Sequence, residues 1–223
     1  MKKLAYEIGI KLNKGAGKEC YKVTGCPDLV LLKSFKVGPN IKKQYLELVD
    51  LKKRISSLPE GVQAARILDI GIKDDCLAMI MDRAKGKPLH NRFKPVNEAR
   101  EEYSQRLLDL SIAEQSLFDK LVSDNKALHE AGIQTDPSKP DNIFYQKDYG
   151  FTHIDLNTGD YFGSLAAPLI FPGLFSHLKK ELTKQDVKNA LIIISKLEAA
   201  GDQQDYLFKS NKKMLTEALE DKV

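Results

Sequence analysis

The sequence predicts an α+β fold with a β-rich front lobe and a helical back lobe. Three observations predict it: short β-type runs up to residue 81, helical periodicity beyond residue 95, and a Gly- and Pro-containing connector between them. The 223 residues are enough for one domain with a substantial core. We expect a front lobe of about 1–81, a connector of about 82–88 and a back lobe of about 89–223.

Five β-type runs and one helix make up the predicted front lobe. The runs are 6–12, 19–23, 29–35, 66–71 and 76–81. Residues 41–58 carry apolar side chains at spacings of three and four, which predicts a helix that ends at Pro59.

Helical patterns dominate the predicted back lobe. They cover 96–111, 112–131, 173–182, 184–200 and 203–221, with Gly132 and Gly201 as helix stops. Between the second and third helices, residues 133–172 are punctuated by Pro, Gly, Asn and Asp. We expect this irregular segment to face the front lobe, where a pocket can form.

The composition is that of an ordinary soluble globular protein, with 42% hydrophobic and 30% charged residues. A net charge of only +4 disfavours a dedicated nucleic-acid binder. Cys20, Cys26 and Cys76 match no zinc spacing, so we expect reduced packing thiols. No apolar stretch is long enough for a signal peptide or a membrane span, so we expect neither a cleaved leader nor a membrane partner.

The turn Gly15-Ala16-Gly17, between the first two runs, is the first of four patterns that could bind a nucleotide. Glycines let backbone N–H groups approach phosphate oxygens, and the flanking Lys14 and Lys18 add positive field. By itself the pattern is an ordinary tight turn. It is not a Walker loop, because the Gly-Lys-Ser/Thr ending is missing and a strand follows.

The second pattern is Lys33, which ends an apolar run. Its ammonium needs a partner if it points inward, because burying it unpaired costs several kcal/mol. The helix that follows offers Glu47, with Asp50 about one turn later, and the sequence leaves open which of them pairs with Lys33. A lysine that reaches water from the strand end is the plain alternative.

The third and fourth patterns are the connector and a pair of oxygen ligands. An adenine can hydrogen-bond the backbone of an extended connector, here around Met81, Asp82 and Ala84. Asn142 and Asp155, thirteen residues apart, each lie at the tip of a short apolar run. Amide and carboxylate oxygens suit Mg²⁺ bridging a triphosphate. A polar loop of turn-forming residues is the alternative reading of the fourth pattern.

In this order and at these distances the four patterns resemble the protein-kinase-like fold, over residues 6 to about 160. The resemblance implies a bilobal α+β fold with a β-rich N-lobe and a truncated helical C-lobe, using ATP and Mg²⁺. The matching positions are Gly15, Ala16 and Gly17 (glycine-rich loop), Lys33 (phosphates), Glu47 (partner of Lys33), Met81, Asp82 and Ala84 (gatekeeper and hinge), and Asn142 and Asp155 (metal).

The catalytic aspartate is where the sequence departs from that pattern. Counting back five residues from Asn142 gives Pro137, which cannot act as a base; the nearest carboxylate is Asp136. Either the loop bulges by one residue, so that Asp136 orients or deprotonates the acceptor hydroxyl, or the base is missing. Asp141 is a weaker substitute, because its place in the motif points away from the substrate.

Only about sixty residues follow residue 160, without an Ala-Pro-Glu motif or a long activation loop. With residues 139–143 retained, this truncation is similar to the OspG- and NleH-like minimal kinase effectors that bacteria inject into host cells. Within that group the chain resembles the family that phosphorylates the host ninety-kilodalton heat-shock chaperone. The resemblance implies a serine/threonine kinase that leaves the bacterial cytoplasm, is secreted into the host cell and acts there, as a monomer, on a host protein.

Two other functions stay open at this point. Pro137 and the shortened end favour a pseudokinase, which would use the fold to bind a host protein without catalysis. A small-molecule phosphotransferase, similar to aminoglycoside or choline kinases, shares the core. Those enzymes usually carry a large acidic substrate-binding insertion and a longer back lobe, which this sequence lacks.

Overall fold

A computed structural model describes residues 1–14, 18–34, 40–90, 95–137, 139–158, 165, 184–199 and positions 212, 213, 216, 217 and 220. The predicted glycine-rich turn, Gly15, Ala16 and Gly17, lies outside these residues. So do the predicted helix 173–182 and most of the predicted helix 203–221.

The first part of the chain forms one antiparallel five-stranded sheet in the order β1-β2-β3-β5-β4. Each predicted β-type run is a strand, with ends shifted by a few residues. The strands are β1 (Ile8–Lys14), β2 (Lys18–Val23), β3 (Cys26–Ser34), β4 (Ile67–Lys73) and β5 (Cys76–Asp82). None of the three cysteines forms a disulfide.

The N-terminal residues cover the free edge of β4 and one face of the sheet. Backbone hydrogen bonds of 2.9 Å join the Leu4 N–H to the Ile72 carbonyl and the Ile72 N–H to the Lys2 carbonyl. Leu4 then packs against Leu31 and Ile80 on this outer face. Such pairing shields an otherwise open strand edge.

Helix α1 (Ile41–Ser56) packs on the other, inner face of the sheet, as its periodicity predicts. Leu51 and Ile55 are buried in a cluster that contains Met79 of the sheet and Leu128 from the helical part of the chain. At its C-terminal end, the Arg54 guanidinium donates to the carbonyls of Ala131 (3.2 Å) and Gly132 (3.3 Å). Helix α1 therefore contacts both the inner face of the sheet and the helical part of the chain.

Three further helices are described beyond residue 95: α2 (Val96–Ala113), α3 (Gln115–Glu130) and α4 (Lys184–Ala199). The break between α2 and α3 lies at Glu114, two residues later than the periodicity predicts, because Glu114 leaves the helical region at φ −122° and ψ 56°. The core between these helices contains, among others, Tyr103, Leu107, Phe118, Leu121, Ile194 and Leu197.

Short strands lie in the connector and in the irregular segment. They are β6 (Lys87–Pro88), β7 (Ile133–Gln134), β8 (Ile143–Gln146), β9 (Gly150–His153) and β10 (Asn157–Thr158), with a 3₁₀ turn at Pro140–Asn142. They form a β6-β8-β9 sheet and a β7-β10 pair. The chain thus has the predicted α+β class. In the part of the chain that the structure describes, no helix has the length and apolar character needed to cross a membrane.

We predict that the buried His153 makes the fold sensitive to acid. Its side chain is 2% exposed, and burial lowers its pKa from 6.5 to about 4; burial lowers the pKa of His129 similarly. Between about pH 6.5 and 4 the unfolded chain therefore binds more protons, so stability falls as the pH falls. For His153 the loss of stability over this pH range is roughly 3 kcal/mol at most.

Urea unfolding at pH 7, 6 and 5 tests this. The wild type is expected to lose stability stepwise, while His153→Asn, although less stable at pH 7, shows a shallower pH slope. The buried Asp124 has the opposite effect on the pH dependence of stability, because burial raises its pKa. Equal slopes in the two proteins contradict the prediction.

Candidate functional site

A cavity of about 290 Å³ lies between the inner face of the sheet, α1 and β10. It is comparable with the smaller ligand pockets of proteins. Its lining combines apolar side chains with charged and polar ones: Lys18, Leu32, Ser34, Gln44, Glu47, Leu48, Leu51, Leu77, Ala78, Met79, Asn157 and Thr158.

The register of β2 against β3 decides which lysine faces this cavity. Lys18 lies opposite Ser34, and the next pair along the strands is Glu19 opposite Lys33. Successive side chains of a strand point to opposite faces, and directly paired residues share a face. Lys18 and Ser34 therefore face the cavity, and Lys33 faces the outer side of the sheet.

The contacts of Lys33 confirm that orientation. Its ammonium lies 5.5 Å from the centre of the Tyr21 ring and 3.4 Å from the carboxylate of Asp74, in the turn between β4 and β5. The two predicted partners contact other cations: Glu47 lies 3.9 Å from Lys43 and Asp50 lies 2.8 Å from Arg54. The sequence-based hypothesis required Lys33 to lie beside Glu47 or Asp50 and near Asn142 and Asp155. The structure does not bring Lys33 to any of these residues.

Lys18, and not Lys33, is the lysine that lies beside Asp155. Lys18 lines the cavity, and its ammonium lies 3.7 Å from the carboxylate of Asp155. Asp155 follows β9 in a left-handed conformation, φ 53°, and its carboxylate is 48% exposed. The Asn157 side chain donates to the Asp155 carbonyl at 3.3 Å, which braces this turn.

The β8–β9 hairpin places Asn142 beside Ile154, the residue before Asp155. The β8–β9 hairpin pairs Ile143 with His153, so the residues just outside it are neighbours. The Ile154 N–H donates to the Asn142 carbonyl at 2.9 Å. Asn142 is 6% exposed, and its side-chain amide donates to the Asp136 carbonyl at 3.0 Å. That bond uses the amide N–H, so the side-chain oxygen is the atom of Asn142 suited to a cation.

The loop around Asp136 is fixed at several points. The Asp136 carboxylate lies 2.9 Å from the ammonium of Lys139. The buried Tyr103 hydroxyl donates to the Pro137 carbonyl at 2.7 Å. Asp141 contacts the His90 ring at 3.1 Å. Asp136 is thus the acidic residue whose backbone is bonded to the Asn142 side chain, whereas the Asp141 carboxylate contacts His90.

The predicted connector lies beside an apolar patch. Met81 is buried with Val30 and Ala65, and the half-buried Cys20, Leu32 and Ile154 pack against them. The Asp82 N–H donates to the Arg66 carbonyl at 2.9 Å and the Arg83 N–H to the Asp28 carbonyl at 2.7 Å. The N–H groups of Asp82 and Arg83 are therefore already bonded to the protein and are not available to an adenine.

The donor set suits a magnesium ion that is completed by a nucleotide. The described residues contain no cluster of three or more His, Cys, Asp or Glu that could enclose a metal. Mg²⁺ usually keeps several waters and is bound through one or two protein oxygens plus substrate phosphates. The Asp155 carboxylate and the Asn142 side-chain oxygen are the groups that could supply two such ligands.

The sequence does not show that Lys18 and Ser34 face the cavity, or that Lys139 lies beside Asp136. In the sequence, Lys18 is only a charge that flanks the glycine turn. The run Val30-Leu31-Leu32 is apolar at every position, so it carries no alternation from which the faces of β3 could be read.

Comparison with protein-family models finds no match to this chain, and comparison with curated proteins finds no significant match.

Proposed function

We propose that this chain is an ATP- and Mg²⁺-dependent protein kinase with a bilobal, kinase-like fold, transferring the γ-phosphoryl group to a serine or threonine hydroxyl. One observation carries the proposal. The ammonium of the cavity-lining Lys18 lies 3.7 Å from the Asp155 carboxylate, and the N–H of the adjacent Ile154 donates to the carbonyl of the buried Asn142 at 2.9 Å. Phosphoryl transfer depends mainly on positioning and on neutralising phosphate charge, which these groups supply.

Each residue has a distinct role in this proposal. Lys18 binds the phosphates, while Asp155 and Asn142 bind Mg²⁺. When bound, Mg²⁺ supplies the positive charge that neutralises the phosphate oxygens. The apolar patch around Met81 accepts the adenine, next to the Asp82 carbonyl and the Ala84 N–H.

Asp136 is the residue that orients or deprotonates the acceptor hydroxyl. Its backbone is held beside the metal-binding Asn142 at 3.0 Å, which supports the bulged loop over a missing base. Lys139 lies 2.9 Å from its carboxylate and can also neutralise the transferring phosphoryl group. Glu47 lines the cavity and has no assigned role.

The proposal extends to the biological setting by resemblance. The retained residues 139–143 support a bacterial effector secreted into a host cell. Its protein substrate would be a host protein such as the ninety-kilodalton heat-shock chaperone.

A radiolabel transfer assay tests the kinase proposal. The wild type, incubated with [γ-³²P]ATP, Mg²⁺ and either casein or the purified host chaperone, is expected to label serine or threonine. EDTA and the Lys18→Ala substitution are expected to remove the label; an identically purified Lys18→Ala protein also controls for contaminating kinases. Equal labelling by both proteins, or labelling that survives EDTA, contradicts the proposal.

A binding module without catalysis is the second candidate. It is favoured by Pro137 at the expected base position and by the Lys139 ion pair that already engages the Asp136 carboxylate. It predicts that Mg·ATP raises the melting temperature of the wild type while no ADP forms with any protein acceptor. ADP formation that requires Asp136 excludes this candidate.

A further inference from the structure

The loop from Asp136 to Asn142 is one residue longer than the five-residue interval that the proposed chemistry normally uses. The additional residue must be accommodated without moving the carboxylate away from the metal ligands. Pro137 helps, because its ring fixes φ and it has no N–H to satisfy. Its carbonyl, however, is buried and needs a donor.

Tyr103 supplies that donor. Its side chain is 1% exposed, and its hydroxyl donates to the Pro137 carbonyl at 2.7 Å. The ring lies in the same buried cluster as Leu107 and Phe118. A fully buried tyrosine hydroxyl keeps its partner, because leaving either group unpaired costs about 1–3 kcal/mol. The hydroxyl is therefore held in place by the core of the helical part of the chain.

Two hydrogen bonds consequently hold the backbone that follows the Asp136 Cα. Its own carbonyl accepts from Asn142 at 3.0 Å, and the next carbonyl along the chain accepts from Tyr103 at 2.7 Å. Burial raises the pKa of the Tyr103 hydroxyl, and the nearby charge of Asp136 raises it further. The hydroxyl thus stays protonated, as a donor, at neutral pH.

We propose that Tyr103 is a positioning residue that sets the Asp136 carboxylate against the acceptor hydroxyl in this lengthened loop. The assignment rests on the proposed function, since it acts through Asp136. Tyr103 does not contact nucleotide or metal ligands in this scheme. Its effect belongs to the turnover step and not to nucleotide binding.

Tyr103→Phe removes only the hydroxyl and is expected to lower kcat about ten- to hundredfold, the cost of a misplacement of roughly 1 Å. The KM for ATP and the melting-temperature rise caused by Mg·ATP are expected to stay unchanged. Tyr145→Phe is the matched control, because Tyr145 packs against the same cluster and is expected to leave kcat unaltered. All rates are measured well below the melting temperature of each variant.

A double-mutant cycle separates positioning from general loosening of the fold. In an Asp136→Ala background, Tyr103→Phe is expected to have no further effect on the residual rate. If Tyr103→Phe lowers kcat by the same factor in both backgrounds, or does not lower kcat in the wild-type background, the assignment of Tyr103 is refuted while the proposed function stands. A wild type that transfers no phosphoryl group refutes the proposed function and the assignment together.

Discussion

Lys18→Ala is expected to lower kcat/KM for Mg·ATP by about 10²- to 10³-fold, whereas Lys33→Ala retains most of the activity. The structure places the Lys18 ammonium 3.7 Å from Asp155 at the cavity. The Lys33 ammonium lies on the other face of the same sheet, with Asp74 and Tyr21. Each substitution removes one lysine side chain, from neighbouring positions on the paired strands β2 and β3 but from opposite faces of the sheet. Each variant is therefore the control for the other.

Removing Lys33 is expected to change stability little. Its ion pair partner Asp74 is 57% exposed, and exposed ion pairs contribute about 0–1 kcal/mol. Steady-state kinetics with varied ATP, together with urea unfolding, measure both effects. A large activity loss in Lys33→Ala with normal Lys18→Ala contradicts the geometry described here.

Ser34→Lys in the Lys18→Ala background provides a gain-of-function test of the same prediction. Ser34 is paired with Lys18 and lines the same cavity, so a lysine there points an ammonium at the same space. Part of the lost activity is expected to return. In the Lys33→Ala background, Ser34→Lys is expected to restore nothing, because Lys33→Ala retains most of the activity.

Gly86→Ala is expected to destabilise the protein by about 3 kcal/mol or more, the range of severe single mutants. Gly86 has φ +84°, and a Cβ there would lie 2.1 Å from the Tyr145 carbonyl oxygen. This contact is with backbone, so a side-chain rotation cannot relieve it. The strand pairs Lys87–Tyr145 and Pro88–Phe144 must separate, and β8 begins directly after Asn142.

Gly61→Ala is the matched control. Gly61 has φ +89°, but a Cβ there meets no atom within 4 Å. Only the left-handed conformation is then penalised, at about 1–2 kcal/mol. The difference between the two variants in urea unfolding isolates the close approach of β6 to β8. Equal destabilisation would show that the contact at Gly86 relaxes freely.

The front sheet and α1 were predictable because their signals are local. Composition and punctuating turns marked each strand, and the spacing of Leu48, Leu51 and Ile55 marked the helix face that is buried. The break at Glu114 was placed two residues early, because it depends on one residue's backbone conformation and not on periodicity.

The candidate site was predictable in part. Asn142 lies beside Ile154, the residue before Asp155, because a short hairpin joins them, and hairpins keep sequence neighbours close in space. Lys33 was placed on the wrong side of the sheet. A shift of one residue along a strand moves a side chain to the opposite face, and a continuous apolar run gives no indication of which face is which.

By itself, the sequence determined the α+β class, the five strands of the first sheet with helix α1, and the hairpin that places Asn142 beside Ile154, since each follows from local composition, periodicity or a short turn. Only the tertiary structure decided that Lys18 faces the cavity, that Tyr103 holds the Pro137 carbonyl and that Gly86 lies against Tyr145. These contacts join residues distant in the chain or depend on strand register, and neither is encoded in the pattern of any single segment.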